Sequence, residues 1–118
     1  YIKFYERMSH SDIVSLLVRT KIYISATKSD GTSLSLLEAM AYGAYPIVSN
    51  IPTNACWIQN DVNGKLFQTE SEFICDVNKT INLSASEYKS VRKSNYSLVD
   101  CKCNYYKQMK KIEYFLFK

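Results

Sequence analysis

The sequence has 118 residues, of which 47% are hydrophobic and 22% charged, with only 3 Gly and 2 Pro. That composition describes one globular domain with a modest core and excludes a disordered or low-complexity chain. The net charge of +4 is uneven: residues 1–78 hold six Lys/Arg against eight Asp/Glu, and residues 79–118 hold nine against three, so the basic character belongs to the tail and does not mark a nucleic-acid-binding domain.

No apolar run approaches the ~20 residues that span a bilayer, and no basic segment followed by an apolar one marks a secretory leader. A first residue of Tyr1 in place of Met is what a processed chain or an excised piece would show. The four cysteines, Cys56, Cys75, Cys101 and Cys103, fit no zinc spacing with the single His10, so free thiols in a reducing cytoplasm are expected.

In chain order, Tyr1–Tyr5 alternates Ile2 and Phe4 with polar or amphipathic neighbours, a strand signal. Ser9-His-Ser-Asp12 is a cluster of helix-capping residues, and behind it Ile13, Leu16, Leu17 and Thr20 form one helical stripe. Lys21–Ser25 is β-branched and aromatic, hence a strand. A Ser29-Asp-Gly loop then leads into Leu34–Ala41, in which six of eight residues are Leu, Ala or Met. Gly43 stands where a helix end favours positive φ, and Pro46–Ser49 reads as a short buried strand. Ile51–Asn54 reads as a turn, Ala55–Ile58 as a helical piece, and Asn60–Gly64 as a turn into a strand at Lys65–Phe67. Thr69 or Ser71 can cap a helix through Asn82, with Phe73, Ile74, Val77 and Ile81 inward. Ser84 opens a helix to about Val99, and a last helix runs from Asp100 to Phe117, with Tyr105, Met109, Ile112 and Leu116 on one face. Strands alternating with helices through short joins predict an α/β fold with a parallel sheet of about four short strands, flanked by helices and followed by a helical tail.

In such sheets ligands gather at the carboxyl ends of the strands. Residues 26–34 fall there, and the amides of Gly31, Thr32, Ser33 and Leu34 lie at a helix start suited to an anion such as phosphate. Two carboxylates punctuate the stretch, Asp30 in the loop and Glu38 in the helix. A carboxylate among apolar neighbours needs a partner, and a sugar or ribose hydroxyl can supply it. Two structural readings stand beside this one: Ser35-x-x-Glu38 matches a capping box, and Asp30 before Gly31 suits an ordinary turn.

The block Ser29-Asp-Gly-Thr-Ser-Leu-Ser-Leu-Leu-Glu-Ala-Met-Ala-Tyr-Gly-Ala-Tyr-Pro-Ile-Val-Ser49, with Asn54, Trp57-Ile58 and Asn63-Gly-Lys-Leu-Phe67, resembles the retaining glycosyltransferases of family 4, which have the GT-B fold. The resemblance runs from about Ile2 to Phe67. That family carries two acids separated by seven residues, matched here by Asp30 and Glu38; the first is usually Glu and is one methylene shorter in this chain. The Ser-Asp-Gly-Thr-Ser form is similar to that of capsule, lipopolysaccharide and other surface-polysaccharide enzymes.

The resemblance implies that residues 1–118 are a fragment of the Rossmann-like, C-terminal, donor-binding domain. Asp30 would then contact the transferred sugar, and Glu38 the ribose hydroxyls of a UDP- or GDP-linked donor. The amides from Gly31 to Leu34 would receive its diphosphate. The turn Tyr5–Met8 matches where the family seats the base, with Glu6 in place of the usual Gly. The implied reaction moves a hexose to a saccharide or lipid-linked acceptor with retention of configuration. It implies no metal or other cofactor, and a location in the cytoplasm or at the inner face of the plasma membrane. The acceptor domain and the family's phosphate-binding Arg and Lys would precede Tyr1. Lys28 reads as a solvated surface lysine, His10 as part of a helix cap, and Trp57 as core. The lysines and aromatics of Tyr105–Phe117 fit a solvated basic helix face, packing on another domain, or peripheral contact with anionic lipid. A non-catalytic nucleotide-binding or partner-binding module is the alternative to an enzyme part. A dinucleotide oxidoreductase is not supported, because no Gly-x-Gly-x-x-Gly follows a strand.

Overall fold

The computed structural model describes residues 2–117. Its elements are α1 (His10–Leu17), β1 (Ile22–Ser25), α2 (Leu34–Ala41), β2 (Tyr45–Ser49), α3 (Pro52–Ala55), β3 (Lys65–Phe67), α4 (Glu70–Ile81), α5 (Ala85–Cys103) and α6 (Tyr105–Phe117). The three strands form one parallel sheet in the order β1-β2-β3, with Ile24 opposite Ile47 and Ile47 opposite Lys65. Side chains alternate across the pleat. Val48 and Leu66 therefore share one face, where they meet Leu36, Leu37 and Met40 of α2 and Leu98 and Val99 of α5. Ile47, Lys65 and Phe67 point to the other face, where Phe67 lies 5.1 Å from Phe73 of α4, centroid to centroid. The result is a sheet between helical layers, as expected for this pattern.

The strand expected over Tyr1–Tyr5 does not form. Tyr1 lies outside the described residues, and residues 2–5 have no regular structure, with Phe4 92% exposed. An alternating run this short needs a ladder partner to become a strand, and none of the described strands pairs with it. Three other boundaries also differ. The turn expected at Ile51–Asn54 is helical from Pro52, because proline at the first helical position has its φ already set. Of the α4 positions expected inward, Phe73 and Val77 are half-buried, whereas Ile74 and Ile81 are exposed. Helix α5 runs on to Cys103, and the break falls at Asn104, whose backbone is extended. The Asn104 side chain accepts from the Lys107 amide and donates to Asp100, so it caps α6 while holding the end of α5.

Two packing devices fix the level of the strands. At the end of α2, Gly43 has φ +92°, its N–H donates to Met40 O, and the Ala44 N–H donates to Ala39 O. This is a Schellman closure. The Tyr88 hydroxyl lies 2.7 Å from Lys21 O and 2.9 Å from Gly43 O, sharing its one hydrogen between them. Burial raises the Tyr88 pKa against the opposing pull of Arg92, so the hydroxyl stays a donor. The second device is Pro46 in the central strand. The Tyr45 N–H donates to Lys21 O, so the alternation of a parallel ladder turns the Pro46 nitrogen toward the β3 side, where pairing begins only at Ile47. No ladder bond is lost. Gly64 fits against the proline: a Cβ there would stand 2.7 Å from Pro46 Cγ and 2.9 Å from Pro46 O.

The segment between α3 and β3 has little regular structure and is tied down by buried amides. Asn63 accepts from the Gln59 N–H at 2.7 Å and donates to Trp57 O at 2.9 Å and to Asn95 Oδ1 at 3.0 Å. Asn95, wholly buried in α5, donates to Asn63 O at 2.9 Å. Lys65 is also buried; its ammonium contacts the Asp61 carboxylate and lies 3.9 Å from that of Asp76, so its charge is compensated. Trp57 packs against the core, with the Lys102 ammonium 5.2 Å from its ring centroid.

Two substitutions test these devices. Gly43→Ala places a side chain at positive φ and against Arg92 Nε at 2.3 Å; it should lower stability by about 1–2 kcal/mol or more in urea unfolding. Asn95→Ala strands the Asn63 amide in the interior and should cost about 1–3 kcal/mol. Asn63→Ala should be destabilising as well, since it strands Gln59 N–H and Trp57 O, and a loss in the double variant smaller than the sum of the two would show that the amides act as a unit.

Candidate donor site

Because the strands are parallel, the loops leaving their carboxyl ends share one edge of the sheet. The segment joining β1 to α2 (residues 26–33) leaves that edge, and α1 also begins there, since it runs back toward the start of β1. The edge is rich in hydroxyls. Ser25 Oγ lies 2.8 Å from Thr27 Oγ1, the Ser49 hydroxyl donates to Thr27 O, and Asn54 closes the end of β2 by donating to Ser49 O at 2.9 Å. Tyr23 and Ser35 are in hydrogen-bond contact at 2.9 Å.

The helix start is built by Ser33. Its hydroxyl accepts from the Leu36 N–H at 3.4 Å and its carbonyl accepts from Leu37 N–H at 3.1 Å. Ser33 is therefore the N-cap, two residues earlier than a Ser35–Glu38 capping box requires, and Ser35 lies inside the helix. That removes the capping role for Glu38. The amides of Leu34 and Ser35 are the first two of the helix and have no acceptor within it. Those of Gly31, Thr32 and Ser33 make no hydrogen bond among the described residues. Gly31 and Thr32 are exposed, and a Cβ built on Gly31 would meet nothing within 4 Å. The helix dipole and the unbonded N–H groups of residues 31–35 thus lie together at the start of α2, a setting that favours an anion.

Glu38 is not sunk in the apolar helix as its neighbours suggest. Leu36, Leu37, Ala39 and Met40 are buried, but 3.6-residue periodicity puts Glu38 on the stripe of exposed Leu34, and its side chain is 38% exposed. One carboxylate oxygen lies 3.7 Å from His10 Nδ1 at the start of α1. Glu38 is half-open at the rim of the loop with one loose partner among the described residues, so its acceptor capacity is only partly used.

Of the residues expected at the site, Asp30 is exposed in the loop and has no bonded partner among the described residues. It is on the same loop as the open amides, and Glu38 stands on the helix that loop opens. Met8 is half-buried in the irregular segment before α1, two residues from His10, whose imidazole reaches Glu38. Lys28 is exposed on the loop and contacts neither acid among the described residues. Sequence reading assigned His10 only to a cap. The cap itself is Ser9, which accepts from the Asp12 N–H, and this leaves the imidazole free to reach α2. The contact between Glu38 and His10 joins residues 28 apart, and no local pattern signals it.

The four cysteines are exposed free thiols. Among the described residues no group of three or more His, Cys, Asp or Glu is placed to hold a metal ion, and no helix is long and apolar enough to cross a membrane.

A protein from Xenopus tropicalis described as glycosyltransferase 1 domain-containing protein 1 is 29% identical over 69 residues, a stretch covering 58% of this chain and 20% of that protein. The chain thus matches about a fifth of the length of this relative. The family described as Glycosyl transferases group 1 matches residues 1–97, which include the whole sheet, the loop after β1 and both acids. The chain belongs to the group 1 glycosyltransferases.

Proposed function

We propose that this chain supplies the nucleotide-sugar-binding part of a retaining hexosyltransferase, as a fragment of the C-terminal domain of a GT-B enzyme. The observation that carries the reading is the juxtaposition at the start of α2: open backbone amides from Gly31 to Ser35, with the half-open Glu38 carboxylate on the helix they begin. A diphosphate placed on the amides neutralises the positive end of the helix, and the amides stabilise the charge that grows on the leaving nucleotide. Glu38, with lone pairs to spare, accepts from the vicinal hydroxyls of a ribose. Asp30 accepts from hydroxyls of the sugar being transferred, and the segment Tyr5–Met8 borders the base. UDP- or GDP-linked hexoses are the donors this chemistry suits, with no metal assigned a role.

The acceptor reading is a saccharide or lipid-linked saccharide at the inner face of the plasma membrane, in the building of a surface polysaccharide. It rests on the Ser-Asp-Gly-Thr-Ser form of the loop. The acceptor domain is a separate part, and a binding module that meets a partner carrying that domain would use the same donor site.

The two acids have separable expected effects. Titration of UDP-glucose and GDP-mannose into the labelled chain should shift amide resonances of residues 30–38 for one of them. Glu38→Ala should weaken both the nucleotide sugar and the free nucleoside diphosphate about tenfold or more, the worth of a hydrogen bond to a charged group, with the melting temperature unchanged. Asp30→Ala should weaken the nucleotide sugar and leave the free nucleotide as it was. A Glu38→Ala chain that binds normally but melts earlier would assign the carboxylate to the His10 contact alone.

A further inference from the structure

A second charged surface lies away from the donor loop, and it uses none of that site's residues. On α5 the side chains Lys89, Arg92, Lys93 and Tyr96 recur at helical spacing and line one groove with Val18 and Tyr42, with a volume of about 520 Å³. Tyr96 also lines the adjoining groove, again about 520 Å³, whose far wall is Lys107, Lys110 and Lys111 of α6. The two grooves make one strip carrying six cations. The single acid in it, Asp100, is already engaged by Lys107, which holds its carboxyl below the usual carboxylate range.

The α6 end of the strip is aromatic as well as basic. Helical spacing places Tyr106, Tyr114 and Phe117 among the three lysines, with Phe115 beside Lys111. Phe115 and Phe117 are 86% and 84% exposed, and the remaining face of α6, with Tyr105, Ile112 and Leu116, is exposed too. Lysine and arginine on a helix that also offers exposed aromatic and aliphatic side chains suit the interface of an anionic bilayer. The cations meet phosphate headgroups, aromatic rings sit at headgroup depth, and apolar side chains enter the acyl boundary. A nucleic acid would satisfy the cations but gain nothing from the exposed aliphatic Ile112 and Leu116.

We infer that the α5–α6 face is a docking surface for an anionic phospholipid bilayer. It gives a surface to the membrane-side acceptor reading above and rests on that reading for its purpose, while the charge and exposure that define it are independent of the donor loop. Docked in this way, the chain would be held at the membrane that carries a lipid-linked acceptor, and attachment would weaken as salt screens the cations.

Co-sedimentation of the full chain with phosphatidylcholine vesicles, with and without phosphatidylglycerol, tests the inference. Binding is expected only with phosphatidylglycerol and should fall as sodium chloride is raised. Lys89→Glu with Lys93→Glu should reduce the partition coefficient at least about tenfold, since each removed cation near a charged surface is worth roughly fivefold. Lys110→Glu with Lys111→Glu is a second, independent variant on α6, and circular dichroism shows that each is folded. The same variants should keep the nucleotide-induced shifts at residues 30–38, so loss of vesicle binding and loss of donor binding are read separately. Equal binding to both kinds of vesicle, no binding to either, full binding by both folded variants, or tighter binding to a single-stranded RNA than to the vesicles would each overturn the inference.

Discussion

Helix α2 is held so tightly that it has only one narrow face to offer. Leu36, Leu37, Ala39 and Met40 are buried between the sheet and α5, and the Schellman turn at Gly43 stops the helix from sliding or lengthening. What remains for solvent is the stripe from Leu34 to Glu38 and the helix start. A rigid apolar anchor therefore sets where the carboxylate and the open amides stand, and the position of the acid follows from the packing of its neighbours. A site on a packed helix keeps its geometry better than one on a free loop, which suits a group whose work is orientation.

This helix also shows how far the sequence could be read. Its limits, Leu34–Ala41, are legible from the Ser-Asp-Gly loop before it and Gly43 after it, and the structure has the same limits. Its inner face is not legible, because six apolar residues in eight leave no contrast from which to read a period; the depth of Glu38 was overestimated for that reason. The choice of cap is not legible for a related one: Ser33 and Ser35 are chemically equal candidates, and only the backbone decides between them. Parallel pairing of Lys21–Ser25, Pro46–Ser49 and Lys65–Phe67 was visible because each run is short, β-rich and bounded by turn residues.

Misses at the two ends have a different origin. Ile2 and Phe4 alternate as a strand does, but a strand is a pairing and not a property of five residues. The exposed faces of α4 and α6 carry Ile74, Ile81, Ile112 and Leu116, whose apolar character says that they can be buried and not by what. Long-range polar ties were likewise invisible. Asn63 and Asn95 lie 32 residues apart, as do no two residues that a local motif links, and each alone looks like a surface amide. The donor reading draws on local signals, the loop and its acids; the basic strip along α5 needed the fold, since it gathers residues of α5 and α6 with Val18 and Tyr42 at the ends of α1 and α2.

The fit of Gly64 against Pro46 has an effect on how the last strand is added. With three residues, β3 can form few ladder bonds, too few to choose one alignment over its neighbours by hydrogen bonding alone. Sliding it by two positions would keep each side chain on its proper face, yet would bring Val62 or Leu66 in place of the glycine against the pyrrolidine ring. Only one alignment avoids that collision, so a notch one atom deep decides the seating of the shortest strand and, through it, the height at which Asn50 and the polypeptide beyond β2 emerge beside the hydroxyl-rich rim.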